Sequence, residues 1–334
     1  MKTLKILPVL AAAMLLSACQ MGGVNVSKPK LAKEGSAAEA KDVRKEFLDD
    51  EMKPGEAIKD LEYFKEDATV TSKEEKQTVS LVMATKETLD KKEISKTEIK
   101  QVTSVASQLD VNNKVAKTRS TQKAQTTSKT LYGKSSGSSS SESVGWMQEG
   151  TVKKNDKDVE GILGLDEKAK TYDLEQEFSE YFKKDEWTKF YVQQTGQSVV
   201  QSFYAALPSE LLPEEEAKLY SCFKNGNIYT VKYAKEDEKP VELKDLGAEE
   251  AYAEKVTKLE RTTQLEINGN KLVFKSISEQ TVTTTYKLAH SQYGESHQKG
   301  AVVVEETKSY NETVLNDSKA SLKVQDLSKY TYSG

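Results

Sequence analysis

The stretch Leu259–Leu288 reads L-E-R-T-T-Q-L-E-I-N-G-N-K-L-V-F-K-S-I-S-E-Q-T-V-T-T-T-Y-K-L. Leu259, Thr263, Leu265 and Ile267 alternate with Glu260, Thr262, Gln264 and Glu266, the period-two pattern of a strand with one apolar face. Asn268-Gly269-Asn270 supplies a turn, and beyond it Val282, Tyr286 and Leu288 again share one face. This is an antiparallel hairpin of long strands, wetted on one side. Upstream, Asn225-Gly226 separates Phe223 from Tyr229, Val231 and Tyr233, a two-residue hairpin signal. Downstream, Ala301 to Val314 and Ser321 to Tyr332 read as two further strands.

The middle of the chain has a different period. Leu174, Phe178, Tyr181 and Phe182 fall on one helical face behind Asp173, and Val199, Val200, Phe203, Tyr204 and Leu207 repeat the pattern before Pro208. Pro213 followed by Glu214, Glu215 and Glu216 opens a short third helix, with acids at its positive end. Residues from about Ala37 to Asp67 also have helical spacing, with Ile58, Leu61 and Phe64 after the Pro54-Gly55 break. Between them lies a Thr-, Ser-, Val- and Lys-rich region reaching about Leu165. There Gln77 to Thr85 alternates with Val79, Leu81 and Met83 on one face, Asn112-Asn113 offers a turn, and Ser135 to Ser143 reads as a mobile low-complexity loop. The expectation is an α+β fold, a long, strongly curved antiparallel sheet covered by a few helices. One domain would span 41–334, with a helical insert at about 173–219.

The 334 residues are 36% hydrophobic and 31% charged, with mean hydropathy −0.66. Eight Phe, fifteen Tyr and two Trp are enough to build a core and argue against a disordered chain. The 49 basic and 53 acidic residues nearly cancel, and the arginines are Arg44, Arg119 and Arg261, so nucleic acid is not an expected partner.

The N-terminus carries an address. Lys2 and Lys5 precede an apolar run from Ile6 to Leu16, too short to span a bilayer. It ends in Leu16-Ser17-Ala18-Cys19, which resembles the lipobox of bacterial lipoproteins. The resemblance implies a signal peptide of residues 1–18, cleavage between Ala18 and Cys19, and diacylglycerol on the Cys19 thiol, with further acylation such as palmitate. Removal of Lys2 and Lys5 would take the net charge from −4 to −6. It also implies a lipid anchor on the extracytoplasmic face of the cell membrane, or on the outer membrane in a diderm cell, since Gln20 and not Asp follows the cysteine. Residues 19–40 read as a flexible tether whose end-to-end distance is about 25 Å.

A strand-rich half, a helical insert and a second strand-rich half behind a lipobox resemble the LolA-like and LppX-like lipoprotein carriers. Their half-barrel encloses an apolar cavity roofed by helices. The resemblance implies a non-enzymatic protein binding an acyl chain or other hydrophobic ligand. On that reading Phe178, Phe182, Trp187, Phe203 and Tyr204 line the cavity. The alternative is a surface interaction or scaffold lipoprotein with a filled core.

Chemistry is thinly represented. Asp156 to Glu167, D-K-D-V-E-G-I-L-G-L-D-E, has the oxygen spacing of a calcium loop, but its flank from Val144 to Val152 reads as a strand, so a hairpin turn at Asn155 to Asp158 competes with it. His290 and His297 sit seven apart in a polar stretch without a third ligand, and Cys222 alternates with Ser221 and Phe223 as a small buried residue. No nucleophile, base and orienting group occur together in any known spacing, so no enzyme, metal or cofactor is expected.

Overall fold

A computed structural model describes residues 24–49, 53–61, 64, 72–110, 115–148, 151–154, 157–160, 198–241, 253–287, 290–292, 295–297 and 299–316. Its centre is a ten-stranded, wholly antiparallel sheet. In chain order the strands are β1 (Ser36–Ala38), β2 (Ser72–Leu89), β3 (Lys92–Asp110), β4 (Val115–Thr130), β5 (Gly133–Gln148), β6 (Thr151–Lys154), β7 (Lys157–Glu160), β8 (Tyr220–Asn225), β9 (Ile228–Val241), β10 (Ala253–Asn268), β11 (Lys271–Tyr286), β12 (His290–Gln292), β13 (Glu295–His297) and β14 (Val302–Leu315). The large sheet runs β1-β8-β9-β10-β11-β14-β2-β3-β4-β5, while β6–β7 and β12–β13 are separate two-stranded hairpins.

Two meanders are therefore fused side by side. β2 to β5 form one, β8 to β11 the other, and β14 joins them by pairing with β11 on one side and β2 on the other. The turns follow from local chemistry. Gly226 and Gly269 each stand at φ +57 at the first position of a two-residue loop, where a side chain would be strained. Asp90 and Lys91 both take positive φ between β2 and β3, whereas Asn227 and Asn270 do not, so that loop is a different two-residue turn.

Helix is scarce. Among the described residues it comprises α1 (Ala40–Phe47), α2 (198–204) and the single-turn α3 (Glu214–Ala217). The expected α+β half-barrel is thus replaced by a nearly all-β fold. The physical reason lies in the Thr-, Ser- and Lys-rich region, which forms four strands of 16 to 19 residues. β-Branched Thr and Val suit the pleated backbone, and each strand is held by its neighbours' ladders and not by a thick apolar layer. Among the described residues the sheet is also open, its order ending at β1 and β5 without closure. Ser135 to Ser143, expected as a mobile loop, lies inside β5 and pairs residue by residue with β4.

Facing partners in an antiparallel sheet lie on the same side, so the register divides every strand between two faces. The helix face carries Tyr229, Leu265, Phe274, Leu272 and Leu315; α1 and α2 pack there through Val43, Phe47, Val199, Val200 and Phe203, with Leu207 in the turn after α2. A smaller cluster of Ala253, Tyr286, Ala301 and Val303 occupies the far end of the strands on that face. Arg44 ties the helices together. Its guanidinium stacks 4.3 Å over the Tyr204 ring, donates to the Tyr204 hydroxyl at 2.9 Å, and donates to the Pro208 carbonyl beyond α2 at 3.2 Å. The opposite face buries Val82, Val273 and Ile277.

Candidate functional site

Residues 24–35, expected as part of a free tether, run as an extended strap across that second face. Its path can be followed bond by bond. The Val24 amide donates to Oε1 of Gln125 on β4 at 3.2 Å. Lys28 Nζ then reaches Glu279 on β11 at 2.7 Å, and Lys275 Nζ donates to the Lys30 carbonyl at 2.9 Å. Further on, Asn225 donates to the Lys33 carbonyl at 3.1 Å and Lys232 pairs with Glu34 at 2.6 Å. A Cβ on Gly35 would stand 1.8 Å from the Lys224 carbonyl oxygen, so only glycine lets the strap turn over the sheet edge. The chain then pairs as β1 with β8 and continues into α1 on the other face.

Two clusters fasten the strap. Gln264, 1% exposed, uses its side-chain amide as a third strand would use its backbone. Its Oε1 accepts from the Ala32 amide at 2.8 Å, and its Nε2 donates to the Ala32 carbonyl at 3.2 Å and to Thr230 Oγ1 at 3.0 Å. Burial of an amide is tolerated only when its groups are paired, and the strap supplies the partners. Glu279 is the second fastening. It accepts from Lys28 and from the Tyr310 hydroxyl, both at 2.7 Å, with the Lys28 ammonium 5.3 Å from the Tyr310 ring centroid. The Lys28 and Tyr310 bonds hold its carboxyl below the usual range, and burial together with the carboxylate pushes the Tyr310 phenol up to about 12.

The residues singled out by sequence are dispersed. Ala18, Cys19, Phe178, Phe182 and Trp187 lie outside the described residues, as do the Leu174 helix and the Ser321 to Tyr332 strand. Phe203 is wholly buried, its ring 5.2 Å from Phe47 and 6.3 Å from Tyr229 by centroid, and Phe47 stands 5.0 Å from Tyr229. That trio is interior packing on the helix face. Tyr204, half-buried, is the partner of Arg44. Beside the trio, Glu46 accepts from Lys224 at 2.5 Å and from the Tyr229 hydroxyl at 2.7 Å, and burial first, then that carboxylate, raises the Tyr229 phenol strongly.

Cys222 is 6% exposed, and burial raises its thiol to about 11, which makes it a packing residue with no thiolate at neutral pH. His290 and His297 are facing partners on the β12–β13 hairpin, where a polar stretch between strands was expected. In the calcium-like stretch, Lys157–Glu160 is a strand paired with Thr151–Lys154, so Lys157 and Asp158, expected in the turn, lie in the strand. The expected Val144 to Val152 strand is divided between β5 and β6, and Asp156 and 161–167 lie outside the described residues. Among the described residues no three His, Cys, Asp or Glu side chains gather as a metal site, and no helix is long and apolar enough to cross a membrane.

What sequence reasoning missed is the strap and the Gln264 and Glu279 clusters that hold it. A buried-face glutamine opposite a threonine is the only signal, and it has meaning only once the strap lies across it. No protein-family model and no curated protein matches the chain. Among solved structures it is similar to Pseudomonas aeruginosa OccK7 (OpdD), at 6% identity and a TM-score of 0.17, over 73% of this chain and 99% of that one. A likeness at that level carries no argument about fold or function.

Proposed function

We propose that this is a lipid-anchored, non-enzymatic lipoprotein of the cell envelope that works as an interaction scaffold, its long open sheet being the working surface. The observation that carries this reading is the Phe47–Phe203–Tyr229 trio. α2, one of the helices that a carrier would use to roof a cavity, is spent here on filling a core at one side of the sheet. The open strand order supports the same reading, because the sheet presents broad faces and a long edge at β5. The charged N-region, the apolar run and Leu16-Ser17-Ala18-Cys19 support the anchor.

Two measurements test the two parts. Cys19→Ser should yield an unprocessed precursor lacking the acylated N-terminus, so normal cleavage of that variant would overturn the anchor. Native mass spectrometry of the chain from Gln20 onward should show protein mass alone. A stoichiometric acyl chain in that spectrum would restore the carrier reading in place of the scaffold.

A further inference from the structure

On the strap face, Lys86 of β2, Lys96 of β3, Lys129 of β4 and Lys134 of β5 are successive register partners. They form one row of ammonium groups across four adjacent strands. Like charges directly opposite one another in a sheet are destabilising, so this arrangement costs stability in the isolated protein. Only part of the charge is compensated. A register shift between Glu87 and Thr88 sets Glu93 on the same face, where it pairs with Lys129 at 2.5 Å. Glu306 of β14 lies 3.9 Å from Lys86 and 3.8 Å from Lys308. Further along the strands Lys100 and Lys123 join the face, Lys100 paired with Glu98 at 3.1 Å. The other side of the same strands carries no such row: Thr97, Ser128 and Ser135 are mutual partners there, then Ile99, Thr126 and Gly137, and Glu87 there accepts from Ser95 at 3.4 Å. The cationic character belongs to one face.

The strap starts on that face. Val24 is bonded to Gln125, which alternates with Lys123 and Lys129 on the same side of β4, about 7 and 14 Å along the strand. From Val24 back to Cys19 is five residues, a reach of at most about 18 Å. A lipid on Cys19 would therefore bring the bilayer surface close to the lysine row. Attraction between lysines and anionic headgroups acts within about one Debye length, roughly 8 Å.

We propose that the lysine row docks the strap face of β2–β5 onto an anionic phospholipid surface, laying the sheet along the membrane beside its anchor. This deepens the anchored-scaffold reading and rests on it for orientation. The row itself can be tested without the anchor. The chain from Gln20 contains every described residue, so it keeps the fold and lacks the acyl groups. It should float with vesicles containing phosphatidylglycerol as about a third of the lipid, and not with pure phosphatidylcholine, and raised salt should release it. Lys96→Gln with Lys134→Gln should weaken that binding more than about tenfold, since each lysine near the surface contributes. Because the pair also relieves cross-strand repulsion, its melting temperature should hold or rise, which separates lost docking from lost fold. Lys235→Gln with Lys255→Gln, on the helix face of β9 and β10, should bind as the parent does. Equal binding to neutral vesicles, no binding to anionic ones, an unaffected Lys96/Lys134 variant, or full displacement by inorganic phosphate would each overturn the proposal. Failure of the anchor would appear separately, as normal processing of Cys19→Ser in cells, and would not alter the vesicle result.

Discussion

The two meanders of this sheet solve the same problem by different means. In β8–β11, α1 and α2 add a layer, and Leu265, Leu272 and Phe203 are fully buried. Among the described side chains of β2–β5 the principal core cluster has no member. Val82 and Ala106 are the buried apolar side chains described there, and most other positions on both faces are half-exposed. The strands of the second meander are no shorter, 16 to 19 residues against 6 to 16. Length is maintained by ladders and by lateral cover, where each Thr, Gln or Lys stem shields the next. A sheet can thus extend beyond its core where the side chains of its inner strands are long or β-branched.

That contrast can be broken at several points. The largest effect belongs to the helix-covered meander: Phe203→Ala should cost about 3–5 kcal/mol in urea denaturation, a full core penalty. A loss below about 1 kcal/mol would mean that the ring trio is not packed and that the two halves differ less than described. Next, Gln264→Ala should cost about 1–3 kcal/mol, because the Ala32 amide and carbonyl and Thr230 lose their buried partner. Hydrogen exchange should show the loss concentrated in residues 24–35, and uniform loosening would contradict a discrete strap. Glu279→Gln should cost about 1 kcal/mol, a value held down by partial exposure of the pair.

Glu279 also sets a pH dependence. Its carboxyl is held below the ordinary value by Lys28 and then Tyr310, so the folded state binds this proton more weakly than the unfolded state. The stabilisation is complete above the ordinary carboxylate range and is lost as pH falls through the lowered folded value. Protease cleavage within the strap should accelerate in acid for the parent and stay flat for Glu279→Gln. The smallest effect is expected on the thin meander. Met83, 45% exposed on the helix face, should tolerate replacement by Ser within about 0.5 kcal/mol. A larger penalty would sharpen the comparison differently, by showing that some further part of the chain covers that face.

The helix-covered meander was legible because burial leaves a periodic trace. Leu265, Ile267 and the Gly269 turn announce a hairpin from sequence alone, and Val199, Val200 and Phe203 announce α2. Even there the first hairpin loop shifts by one residue, to Gly226 and Asn227, since the glycine and not the asparagine leads the turn. The thin meander left no such trace. Ser135 to Ser143 has almost no apolar pattern, and its strand exists because β4 offers a complete ladder, a non-local fact. Periodic helical stretches beside this quiet region imply an α+β fold, whereas the chain is nearly all-β. The strap was illegible for a similar reason. Residues 24–35 are polar and lysine-rich, and only three-dimensional placement reveals that Gln264 waits for Ala32.

The strap also stores length. It crosses the strands and is held at separate points, Val24 to Gln125, Lys28 to Glu279 and Ala32 to Gln264. A pull on the N-terminus therefore loads these fastenings one after another. Peeling all twelve residues from Val24 to Gly35 would pay out about 40 Å of chain while β8–β11 stays folded. The same segment that holds the sheet close at rest can act as an extensible leash under tension, with Gln264 as its most deeply buried catch and the Glu34–Lys232 pair as its last.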